Sequence, residues 1–175
     1  MLATLAVVLF LSLLSSGYLL LVSAPRVSQE TELAREANQV LVAMVNQETG
    51  LRGWLGTADP VFLEPYQSGK ESAAAGSGLL LTMAGTDSQA ASQIVDILVA
   101  RAAWDSWAQD AAQRDQASSP VSPAALTQFL LDGKALFDVY RAADARAMQT
   151  FTQRRDHALT DQRTALFGGS SRSRV

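Results

Sequence analysis

The chain has no cysteine and a single histidine, His157. The first absence removes disulfide scaffolds, thiol nucleophiles and thiolate metal centres. The second leaves any imidazole site dependent on carboxylates. Asp156 and Asp161 flank His157, and Asp161 at i+4 shares a helical face with it, but two ligands do not make a metal site, and a solvated helix surface is the better reading. Nucleotide and acyl-transfer motifs are missing too. Gly76-Ser77-Gly78 lacks the lysine and spacing of a phosphate loop, and there is no Gly-x-Ser-x-Gly arrangement. No basic stripe precedes the short tail "RSRV"; with a formal net charge of −3 and a pI near 5.1, nucleic-acid binding is not expected. The residues therefore point to a non-enzyme with no catalytic residue, metal or cofactor.

Charge itself is absent from residues 2–22, LATLAVVLFLSLLSSGYLLLV. That run is long enough to span a bilayer as a helix. A cleaved signal peptide is the competing reading, with "VSA" at 22–24 as the cleavage site. Against it stand the length of the apolar run, the lack of a basic n-region, and Pro25, which would follow the cut. Residues 1–24 are read as an uncleaved transmembrane signal anchor in the inner (plasma) membrane. Either reading places residues from about 25 onward on the extracytoplasmic side.

What is present beyond the anchor is helical periodicity without strand alternation or repeats. A first segment from about Val27 to Leu55 carries Leu33, Ala37, Val40, Met44, Leu51 and Leu55 at spacings of three, four and seven, and is expected to continue the membrane helix outward. "TADP" at 57–60 ends it and starts the next, with Asp59 as cap and Pro60 in a first helical position, where its missing N–H costs nothing. The second segment runs to about Met83, weakened in the middle by Gly69, Gly76 and Gly78. Gly85 offers a C-cap, and Thr86 or Asp87 the next N-cap. A third segment reaches about Gln116 with Ile94, Ile97, Leu98, Ala102, Trp104, Trp107 and Ala111 facing inward. "SSPVSP" at 118–123 breaks it. The fourth, from Pro123 to Phe167, has a heptad seam of Leu126, Leu130, Gly133, Phe137, Tyr140, Asp144, Ala147 and Phe151. The architecture expected is all-α: an N-terminal transmembrane helix, an elongated antiparallel four-helix bundle over 25–167, and a flexible tail at 168–175.

The stretch NQETGLRGWLGTADPVFLEPY, residues 46–66, holds the unusual residues of an otherwise Ala- and Ser-rich chain. Its plainest role is a helix end, with glycines for close approach and Asp59-Pro60 to restart the chain. Glu48 and Arg52 are spaced i, i+4 with the acid first, the favourable order for a helical ion pair. Counting along the first and fourth helices brings Arg52 level with Asp138 and Arg141. A polar cluster of Glu48, Arg52, Asp138 and Arg141 is therefore expected to tie the two helices together. Trp104 and Trp107, at i, i+3, fit core packing better than a ligand pocket.

These residues closely resemble the signature of the third type of CHASE domain, the extracytoplasmic sensory module of bacterial histidine kinases, cyclases and chemoreceptors. Glu48, Thr49 and Gly50 match its acidic-Thr-Gly step, and Arg52 and Gly53 its Arg-Gly step; Trp54 stands where Tyr is usual. Phe62, Leu63, Pro65 and Tyr66 match the Phe-Leu-x-Pro-Tyr that follows. Asp138 and Arg141 in "GKALFDVYRAADA" fit a weaker likeness on the last helix. The resemblance implies a homodimer that relays a stimulus through the first and fourth helices to a cytoplasmic output domain. Such members return through a second membrane helix, and "TALF" at 164–167 is where it would begin before "GGSSRSRV" intervenes. A membrane-anchored periplasmic scaffolding protein without signalling output is the alternative. The residues do not identify a ligand.

Overall fold

The computed structural model describes residues 2–18, 24–113 and 122–167, and every regular element among them is helical. Helix α1 spans Leu2–Tyr18, α2 Ala24–Thr57, α3 Leu63–Ala84, α4 Ser88–Ala112 and α5 Pro123–Phe167, with a 3₁₀ turn at Pro60–Phe62 before α3. The expected stops and starts are where the side chains can make them. Asp59 Oδ1 accepts from the Val61 N–H at 3.0 Å. Asp87 Oδ1 accepts from the N–H groups of Gln89 and Ala90, each at 3.0 Å, and is the cap of α4 rather than Thr86. Gly85 ends α3 at φ +53°. Ser122 Oγ accepts from the Ala125 N–H at 3.2 Å, and Pro123 opens α5. Three expectations lie wholly or partly outside the described residues: the join of the first segment to the apolar helix at 19–23, the break at 118–123 up to residue 121, and the tail at 168–175.

The chain divides into two compact units, Met1–Ala34 with Thr150–Val175, and Arg35–Gln149. In the first, Leu33 and Phe151 are fully buried, and Arg154 Nη2 pairs with the buried Glu30 Oε1 at 2.9 Å, joining α2 to α5. This pair was not foreseen, because an isolated Glu in a helical segment reads as solvated. Helix α1 has 17 residues, about 26 Å at 1.5 Å per residue. No helix among the described residues is long and apolar enough to cross a membrane. The expected spanning run of 2–22 is thus described only as far as Tyr18, and its Leu5, Val8, Phe10 and Leu13 side chains are exposed.

In the second unit, α2 and α3 run antiparallel: Gly50 meets Tyr66, Gly69 meets Ala43, and Gly76 meets Val40. The glycines expected to weaken α3 do not interrupt it, because Gly69 and Gly76 are buried where α2 comes closest. Helices α4 and α5 are likewise antiparallel, since Trp104 packs on Phe137 while Trp107 packs on Phe129 nearer the start of α5. The expected seam of α5 is buried from Gly133 through Phe137, Tyr140, Asp144 and Ala147. Leu126 and Leu130 are exposed instead, because Phe129 takes the contact with Trp107, ring centroids 4.9 Å apart. On α4, Ala102 is exposed and Leu98 half-buried; Ala100 and Ala108 are the small buried residues there, and on α2 Leu55 is only half-buried.

Candidate functional site

The 46–66 stretch folds into the joint between α2 and α3. Thr57 Oγ1 donates to the Gly53 carbonyl at 2.7 Å and accepts from the Asp59 N–H at 3.2 Å. Ala58 adopts the left-handed region at φ +57° and donates to the Trp54 carbonyl at 2.8 Å. A Cβ on Gly50 would stand 2.7 Å from the Phe62 carbonyl oxygen and 2.8 Å from the Tyr66 nitrogen. Backbone atoms cannot step aside as a side-chain tip can, so the joint closes only around glycine at 50. The Phe62 ring lies over Gly53 in the same contact, and Tyr66 is buried beneath it. Thr49 is exposed, and Trp54 and Leu63 are half-buried.

Glu48 and Arg52 leave that joint and face a cleft of about 450 Å³ lined by α2, α4 and α5. Its apolar wall is Leu51, Trp104, Trp107, Leu130 and Phe137. Trp104 is fully buried, with ring centroids 6.2 Å from Trp107 and 5.4 Å from Phe137. Gly133 has no side chain where the Trp107 indole sits, so the ring occupies a notch in α5. The polar rim is Glu48, Arg52, Lys134, Asp138 and Arg141.

All four residues of the expected polar cluster therefore line one cleft, but the ion pairs in it stay within helices. Arg52 Nη1 pairs with Glu48 Oε1 at 3.1 Å, and Lys134 pairs with Asp138 one turn along α5. Lys134 was not anticipated; its i, i+4 spacing to Asp138 was the available signal. Trp104 and Trp107 are both core residues and cleft wall, so packing and lining are the same contact seen from two sides.

A second polar group ties α3 to α4. Arg101 donates through Nη1 to the Ala73 carbonyl at 2.9 Å and to the Ser77 hydroxyl, and through Nε to Asp105 at 3.1 Å. Burial raises the Asp105 carboxyl above its ordinary range against the pull of Arg101, and burial with the Asp105 charge raises the Tyr66 phenol. On α5, burial pushes the Asp144 carboxyl up to about 6; Tyr140 is raised mainly by burial and further by Asp144. No group of three or more potential ligands among the described residues could hold a metal ion. His157 is exposed on α5, with Asp156 paired to Arg155.

The chain matches the CHASE3 domain family over residues 23–165 and belongs to it. CHASE3 domains are extracellular sensory domains and not catalytic ones. Neither a curated protein nor a solved structure matches the chain significantly.

Proposed function

We propose that the chain is the extracytoplasmic input domain of a bacterial membrane receptor such as a histidine kinase, cyclase or chemoreceptor. Residues 1–24 anchor it in the plasma membrane. Residues 25–167 form an antiparallel four-helix bundle that relays a stimulus through α2 and α5. Exposed apolar side chains along α1 and the charge-free sequence to Val22 support the anchor. The antiparallel α2/α3 and α4/α5 pairs support the bundle.

The observation that carries the relay is the ion pair of half-buried Arg154 with buried Glu30, which couples α2 to α5 near the anchored end of the sequence. Breaking a partly buried pair is costly, so displacement of one helix is transmitted to the other rather than absorbed between them. Exposed Val42 and Val45, one turn apart on α2, support a homodimer contact. The polar cluster of Glu48, Arg52, Asp138 and Arg141 acts at the rim of the cleft, where the two relay helices face each other; Arg52→Leu with unchanged stability and unchanged signalling would remove it from the mechanism.

The reading frame beyond the Val175 codon tests the relay. An apolar run of about twenty residues followed by a kinase, cyclase or methyl-accepting module is expected. A stop codon there would overturn relay by this chain and favour the membrane-anchored scaffolding protein.

A further inference from the structure

Resting on the sensory reading, we propose that the cleft between α2, α4 and α5 is the ligand site of the domain, and that it takes a small organic anion with a planar apolar body. An aromatic carboxylate is the simplest member of that class. The cleft, at about 450 Å³, lies within the roughly 300–1,000 Å³ of small-molecule sites and shares their design, an aromatic wall with a few polar groups at one edge.

Charge decides the sign of the guest. The rim has three cations, Arg52, Lys134 and Arg141, against two carboxylates, Glu48 and Asp138, in a chain whose formal net charge is −3. Glu48 neutralises Arg52, and Asp138 neutralises Lys134. Arg141 is left with no ion-pair partner among the described residues, and its planar guanidinium presents the two parallel donors that a carboxylate accepts. The wall decides the shape. Half-buried Trp107 offers its ring to a flat body, backed by the buried Trp104 and Phe137, and both indole N–H groups are buried without an acceptor among the described residues. The chain thus supplies the Arg141 donors and an apolar surface at this place, and a carboxylate on an aromatic ring supplies the acceptors and the matching surface.

Occupancy would also make the link the chain lacks here. The rim's ion pairs lie within α2 and within α5, so an anion held by Arg141 on α5 beside Arg52 on α2 joins the two relay helices only when it is bound. A ligand that favours one arrangement of those helices shifts their equilibrium by its difference in affinity.

The test uses the full 175-residue chain in lipid nanodiscs, labelled with 5-fluorotryptophan and titrated with naphthalene-2-carboxylate or its uncharged partner naphthalene-2-carboxamide. The expected result by fluorine NMR is a saturable shift of the Trp104 and Trp107 resonances, with that of Trp54 moving less. The amide should bind at least about tenfold more weakly. Arg141→Gln, an exposed change, should weaken the acid by about tenfold and leave the amide unaffected, and Leu130→Trp should block both. Equal affinity for acid and amide, no loss in Arg141→Gln, or no saturable shift by about 10 mM would overturn the proposal. Those outcomes leave the reading-frame test untouched, so site and sensory role fail separately.

Discussion

The α2–α3 contact and the α4–α5 contact are built on opposite rules. Between α2 and α3, small residues let the backbones close until a Cβ at Gly50 would stand 2.7 Å from the Phe62 carbonyl oxygen. Between α4 and α5, the contacts are made by large rings: Trp104 on Phe137, and Trp107 on Phe129 and in the notch at Gly133. Small residues interlock without gaps. Large rings bridge wider separations and cannot fill every corner, and the cleft of about 450 Å³ opens beside them. The first contact is suited to holding two helices as one body, the second to accepting a guest.

The sharpest way to break this comparison is to place a side chain in the sealed joint. Gly50→Ala improves helix propensity by up to about 1 kcal/mol. The clash with two backbone atoms should outweigh that gain and destabilise the chain by about 3 kcal/mol, a fall in Tm of roughly 10 °C. A thermal melt with unchanged or raised Tm would show that the joint has slack.

A smaller effect is expected at Asp144, a buried carboxyl one turn beyond Tyr140 on α5. Burial raises its pKa from 3.8 unfolded to about 6 folded. Its contribution to stability is therefore fully present below pH 3.8, and is lost as the pH rises through about 6 and the folded state must carry a buried charge. Asp144→Asn should leave Tm nearly unchanged at acid pH and stabilise the chain by about 1–2 kcal/mol at pH above 7. Tyr140 stays neutral over this window, and Arg101 and Asp105 are the other charged groups acting on it. Melts that differ equally at both pH values would assign the effect to packing rather than ionisation.

The least effect is expected at the open side. Lys134→Gln removes an exposed i, i+4 pair and should cost no more than about 0.5 kcal/mol by urea denaturation. A loss of 2 kcal/mol or more would mean that the cleft rim, and not only the sealed joint, holds the helices together.

Much of the helical order was legible. Asp59-Pro60, Gly85, Asp87 and Ser122-Pro123 act locally, each through its own φ or a hydrogen bond two or three residues away, so boundaries could be read without knowing the neighbours. Glu48, Arg52, Asp138 and Arg141, level by counting along two helices, all line one cleft, and the i, i+4 spacing held the Glu48–Arg52 pair, but the partner of Asp138 was not read. Lys134 takes Asp138, and the pairs do not cross between helices. Leu126 and Leu130 were misplaced for a related reason. A heptad pattern says which face is apolar, whereas the position of Trp107 on another helix selects Phe129 as the residue that packs.

By itself the sequence determined that this chain is helical, where most helices begin and end, and a resemblance to the CHASE3 family, because capping, periodicity and glycine geometry are properties of neighbouring residues. Only the tertiary structure decided that Glu30 is buried against Arg154, that Arg101 bridges α3 and α4, and that two tryptophans wall a cationic cleft. Those outcomes depend on which side chains from distant segments meet, and burial, pairing and empty space are set by that meeting rather than by any one segment.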